Sequence, residues 1–170
     1  MWTEDGDEAG RVTLKRMTRE MYHALYRGFQ RDPDTFMDMR LFEPFVYDPE
    51  WVERIIAKQE SRGNVVFAIL RGGAVVGEIM LKDIDRGTRV CALSVHLQND
   101  AVKNRGIGTR AERLALHYAF GELGMETVLA DAARKNARSQ RVLEKVGFRR
   151  MGEDDTFVYY RCDRGGKTQE

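Results

Sequence analysis

The chain is short of several things, and each shortage excludes something. It has two cysteines in 170 residues, Cys91 and Cys162, far apart and outside any CxxC or Cys/His cluster. That is too few for a disulfide scaffold. It fits a reduced, cytoplasmic setting with both thiols as small apolar strand residues. Its three histidines, His23, His96 and His117, have no ligand spacing, so no metal is expected. No apolar run approaches membrane-spanning length. The stretch Met1–Gly10 is polar and acidic, without the basic start and apolar core of a signal peptide, so neither leader nor membrane contact is expected. Net charge is also scarce. With 28 basic and 27 acidic side chains the balance is +1, which exerts no global pull toward nucleic acid or an anionic surface.

What remains is an ordinary globular composition, 42% apolar and 32% charged, long enough for one hydrophobic core. No internal repeat, low-complexity tract or linker divides it. Residues 1–10 and 164–170 offer nothing to bury and are expected to fray, which leaves a single domain over 11–163.

The patterning predicts a mixed α/β fold. Arg11–Met17 alternates as a strand. A helix follows, with Met17, Met21, Leu25 and Gly28 on one face, until Asp32-Pro33-Asp34 breaks it. Asp48-Pro49 opens a second helix whose apolar side is Trp51, Ile55 and Ile56. Three strands, Val65–Leu70, Ala74–Lys82 and Arg89–Leu97, are joined by short glycine-containing turns and should be antiparallel. A glycine loop then leads into a long helix over roughly Thr109–Leu123. A strand at Thr127–Ala132, a helix from Asn136 to Gly147 and a closing hairpin complete the order β-α-α-β-β-β-α-β-α-β-β. About seven strands with helices on both faces would bury these patterns.

Two motifs carry chemistry. Lys103-Asn104-Arg105-Gly106-Ile107-Gly108-Thr109 joins a strand to the long helix. The first N–H groups of a helix lack internal partners and, with the helix dipole, attract an anion. Gly106 and Gly108 let the backbone approach a phosphate, and Lys103 and Arg105 add charge. The spacing is neither a Walker A loop nor a dinucleotide fingerprint, and a plain glycine turn remains open. The second motif is NARSQRVLEKVGF, residues 136–148. Asn136 suits an N-cap and Gly147 a helix stop. Ser139, Val142, Leu143 and Val146 fall on one inward stripe, so the Ser139 hydroxyl needs a partner there or bonds its own first turn.

KNRGIGT resembles the acyl-CoA pyrophosphate loop of the GNAT acetyltransferase superfamily. NARSQRVLEKVGF is similar to the following helix in the subgroup that acetylates ribosomal protein N-termini and polyamines. The resemblance covers roughly Arg11 to Arg161. It implies the GNAT fold, acetyl-CoA as co-substrate and an amine acceptor, with no nucleic acid or membrane partner and with homodimerisation left open. It implies donor contacts from Val95, His96 and Leu97, from Lys103 to Thr109, and from Asn136, Ser139 and Lys145. Two departures stand out: Lys103 where Gln or Arg is usual, and Leu143 where many relatives carry a tyrosine acid.

Three side chains compete for proton transfer. Glu78 interrupts the apolar strand AVVGEIML, and desolvation among apolar neighbours makes a carboxylate a better base. A solvent-facing Glu78 is the competing reading. His96 lies near the end of its strand, where a purely structural histidine is equally at home. Ser139 is the candidate donor to a leaving thiolate. Phe36, Phe42, Phe45, Tyr47 and Trp51, interleaved with Asp32, Asp34, Asp38, Glu43 and Asp48, suit a cationic acceptor. Two other functions stay open: an acyl-CoA-binding module without catalysis, and RNA association through Arg134, Lys135, Arg138, Arg141, Lys145, Arg149 and Arg150.

Overall fold

The computed structural model describes residues 2–4, 11–36 and 38–166. Among the described residues eight strands form one sheet: β1 (Trp2–Glu4), β2 (Val12–Arg16), β3 (Val65–Arg71), β4 (Ala74–Asp85), β5 (Val90–Leu97), β6 (Thr127–Ala133), β7 (Arg149–Glu153) and β8 (Phe157–Asp163). Their spatial order is β1-β2-β3-β4-β5-β6-β8-β7. Every ladder is antiparallel except β5 with β6. The fold class is as the sequence implied, with one strand more than expected. Trp2–Glu4 lies in the segment expected to fray, yet its backbone pairs with Val12–Leu14. The rest of 1–10, and 167–170, lie outside the described residues.

The helices are α1 (Arg19–Arg27), α2 (Pro49–Ser61), α3 (Ile107–Gly121) and α4 (Ala137–Lys145). α1 and α2 cover one face, where Tyr22, Leu25, Tyr26, Val52 and Ile56 pack on Val66 and Met80. α3 and α4 cover the other, over a core that includes Phe67, Ile79, Leu81, Leu93, Ala115 and Leu143. Among the described residues no helix is long and apolar enough to cross a membrane.

Two expectations need correction. The inward stripe of α1 is Tyr22, Leu25, Tyr26 and then Phe29, not Met17–Met21–Leu25–Gly28. Thr18 caps the helix by accepting the Met21 N–H, so Met17 precedes it and the register turns toward the aromatics. The long helix also starts two residues early, at Ile107, because Gly106 takes the left-handed conformation at the cap (φ 70°).

Candidate active site

β5 and β6 pair only where Val90–Ala92 meets Thr127–Leu129. Beyond them a cavity of about 210 Å³ lies between the strands, walled by Leu93–His96 on one side and Ala130–Ala133 on the other. A second cavity, about 360 Å³, runs on past Leu97, Lys103 and Gly108. Thr35, Val95, His96, Glu112, Asn136 and Ser139 wall both. The parting strands thus open a continuous path from the sheet interior to the start of α3.

At that start, Gly106 supplies no side-chain cap, which leaves the first turn of N–H groups to whatever ligand lies outside. Among the described residues nothing lies within 4 Å of the position a Gly108 Cβ would take. Ile107 and Thr109 point into the core, so only their backbones face outward. Asn104 is in the left-handed region (φ 58°) and, with Arg105, is exposed. An anionic diphosphate fits this cradle.

Lys103 is held between two acids. Its Nζ donates to Asp32 Oδ2 and Asp100 Oδ1, each at 2.7 Å, and its side chain is 9% exposed. Burial disfavours the charged amine, but those two acids outweigh it and hold the pKa above the usual lysine value. Burial likewise works against charge on Asp32, and the Lys103 bond, the Asp34 N–H and the Lys103 and Arg138 charges together hold it low. Arg138 of α4 stands 3.9 Å from the same Asp32 oxygen. Asp32 therefore spans from the α3 loop to α4 across the wider cavity.

The segment after α1 is stitched down by the end of β5. Gln98 Nε2 donates to the Leu25 carbonyl at 2.9 Å, and the Gln30 N–H donates to Gln98 O at 2.7 Å. This lays Phe29–Phe36 over the cavity.

Glu78 and His96 are direct partners on the β4–β5 ladder and share the α1/α2 face. The Tyr26 hydroxyl donates to Glu78 Oε1 at 2.8 Å, and His96 Nδ1 stands 3.6 Å from that oxygen. The Glu78 side chain is 13% exposed and that of His96 56%. Burial, then the Glu78 charge, push the Tyr26 phenol well above its usual pKa, so it stays a donor. Phe29, Phe45 and Trp51 ring Tyr26 with centroids at 5.4, 5.7 and 5.1 Å. Glu78 walls neither cavity; His96 walls both and connects it to them.

Asn136 caps α4 as expected, its Oδ1 accepting the Ser139 N–H at 3.1 Å, and Ser139 faces both cavities. Lys145 is exposed in the last turn of α4 and walls neither. Leu143 is buried. The acids interleaved with the aromatics are partly structural: Asp32, Asp38 and Asp48 accept backbone N–H bonds at turn and helix starts. The basic cluster is largely paired with acids, Arg134 and Arg150 with Glu153, Arg149 with Asp163 and Arg138 with Asp32.

Two participants were not read from the sequence. Tyr26 lay outside the stripe expected for α1. Glu112 begins the stripe 112, 115, 116, 119 of α3, and a charge at the head of an otherwise apolar stripe was the available signal.

A model of the acetyltransferase (GNAT) domain matches residues 11–149. The chain is 33% identical over 103 residues to the probable N-acetyltransferase YjcK of Bacillus subtilis, spanning 61% of this chain and 56% of that protein. It thus spans about half the length of that curated relative. Among solved structures, the Vibrio cholerae spermidine N-acetyltransferase bound to CoA and spermine superposes with a TM-score of 0.75 at 14% identity, covering 91% of this chain and 96% of that one. The aminoglycoside acetyltransferase AAC(6')-Ib bound to ribostamycin and coenzyme A gives 0.75 at 20% identity, covering 91% and 94%. At these identities the likeness is one of fold.

Proposed function

This chain belongs to the acetyltransferase (GNAT) domain family, and from that premise we propose that it transfers an acetyl group from acetyl-CoA to a primary amine by direct attack in a ternary complex. The observation that carries the reading is the parting of β5 from β6 beside the glycine-capped start of α3. On this reading the backbone of residues 104–109 receives the donor's diphosphate. The edge of Val95–Leu97 and the start of α4 hold its arm, and a β5 N–H steadies the thioester carbonyl as charge builds there.

The acceptor approaches from the α1/α2 face. A cationic amine must lose a proton before it attacks, and Glu78 is the base, acting directly or through water or His96. Tyr26 holds its carboxylate in place. The aromatic shell around Tyr26 and the Glu78 charge favour a cation on that side. Ser139 donates toward the departing thiolate, since Leu143 has no proton to give. The acceptor class is an amine of small-molecule, polyamine or protein-N-terminal type. The spermine and ribostamycin held by the two structural neighbours support an amine but not one in particular. A cytoplasmic setting is supported by two buried free thiols.

The test is release of free CoA from acetyl-CoA across a panel of amines. Amine-dependent thiol release above background hydrolysis is expected. No release with any amine, together with no thermal stabilisation by acetyl-CoA, overturns the reading.

A further inference from the structure

Glu112 is 1% exposed, and among the described residues its Oε2 is the buried side-chain polar atom with no hydrogen-bond partner. Burial alone pushes its carboxyl up to about 8. Near neutral pH it is therefore an acid with an O–H to donate, not a carboxylate. A buried acid without a partner destabilises the fold relative to an apolar side chain of similar size. Ala115, Leu116 and Ala119 complete its stripe, so the local packing favours an apolar residue there. Glu112 also walls both cavities, reaching their junction from the α3 side while His96 reaches it from the opposite face.

We propose that Glu112 is a donor-binding residue whose unpaired carboxyl takes its hydrogen-bond partner from the amide-bearing arm of the acyl thioester where the two cavities meet. The inference rests on the acetyltransferase reading. The chemistry is complementary: a secondary amide offers a carbonyl and an N–H, and a neutral carboxyl group offers an O–H and an accepting oxygen. An ionised carboxylate could only accept. Donor affinity should then depend on protonation at this position. The other ionisable groups facing the same space are Lys82 from β4, His96 from β5, Asp131 from β6, Arg138 from α4 and Arg31, Asp32 and Lys103 from the loops. Arg113 is adjacent on α3 itself.

Calorimetric titration of the full chain with acetyl-CoA at pH 7 and pH 9 tests this, with Glu112→Leu and Glu112→Gln beside the wild type. At pH 7, Glu112→Leu should bind at least about tenfold more weakly, the loss of one good hydrogen bond. Glu112→Gln, which still donates and accepts, should stay within roughly threefold of wild type. Wild-type affinity should fall about tenfold from pH 7 to pH 9 beyond any fall in the variants, as one proton is lost. Equal binding by wild type and Glu112→Leu overturns the assignment alone. Absence of acetyl-CoA binding by wild type overturns the acetyltransferase reading and the assignment with it. Should Glu112→Leu not fold, the Glu112→Gln profile decides, and one as steep as wild type overturns the proposal.

Discussion

Glu78 and His96 face each other across the β4–β5 ladder, with Oε1 3.6 Å from Nδ1, and the Tyr26 hydroxyl closes on the same oxygen at 2.8 Å. One carboxylate thus meets a rigid donor from the helix layer and a more exposed imidazole that borders the cavities. On the proposed function Glu78 is the base and His96 carries the proton outward. Glu78→Gln should lower turnover by roughly a hundredfold to ten-thousandfold, the range for losing a general base. Acetyl-CoA affinity should stay near wild type. His96→Ala should cost less, because water can reach Glu78 by the same route. Steady-state kinetics beside calorimetry check both, and a larger loss in His96→Ala than in Glu78→Gln moves the base to His96.

Gly108 gives a cleaner probe of donor binding than Gly106. Gly106 sits at φ 70°, where any side chain strains the turn, so a loss of binding there would be ambiguous. Gly108 is within α3 with open space above it. Glycine in a helix costs about 0.5–1 kcal/mol relative to alanine, so Gly108→Leu should leave the melting temperature unchanged or slightly raised. The added side chain would fill the space beside the first turn. Stabilisation by saturating acetyl-CoA should disappear. A full ligand-induced shift in Gly108→Leu would show that the anion lies elsewhere.

The sequence made the fold legible because its signals were local. Asp48-Pro49 opens α2, Asn136 caps α4, and short glycine-containing turns mark off β3 to β5. The Ser139 stripe was legible for the same reason, whereas α3 begins two residues before the expected Thr109. What escaped depends on partners distant in the chain. Lys103 was read as a phosphate ligand from its place in the loop, but its partner Asp32 lies 71 residues away. Tyr26 meets Glu78 across 52 residues. Pairing at that separation leaves no periodicity. β1 escaped for another reason: its pairing with β2 is a backbone ladder, and Trp2–Glu4 carries no apolar alternation to announce it.

Asp32 sits where a donor diphosphate would compete for the same cations. Asp32 pairs with Lys103 and more distantly with Arg138, and on the proposed function that pairing holds both from an incoming anion. Asp32→Asn should therefore tighten acetyl-CoA binding, by about 1 kcal/mol or fivefold for one partly exposed ion pair. Lys103→Ala should change affinity little in the wild-type background and weaken it in the Asp32→Asn background. A double-mutant cycle by calorimetry measures that coupling. Additive effects of the two substitutions would show that Asp32 and Lys103 do not compete with the donor.

Glu112 makes a separate prediction about stability without ligand. Its proton is held more tightly in the folded chain, where burial raises the carboxyl from 4.5 to about 8, than in the unfolded chain. The folded state keeps the full benefit of that proton below about pH 4.5, where both states are protonated, and loses it as pH rises toward about 8. The wild type should therefore lose stability relative to Glu112→Leu across that window, by up to about 4 kcal/mol at roughly 1.4 kcal/mol per pKa unit. For a chain of this size that is a relative fall in melting temperature of roughly 10 °C. Thermal unfolding of both proteins from pH 5 to pH 9 is the measurement. The two curves should diverge steadily up to about pH 8 and run parallel above it, with Glu112→Leu the more stable throughout the upper range. Parallel curves across the whole range would mean that Glu112 is solvated or paired in solution, and that its burial does not perturb its titration.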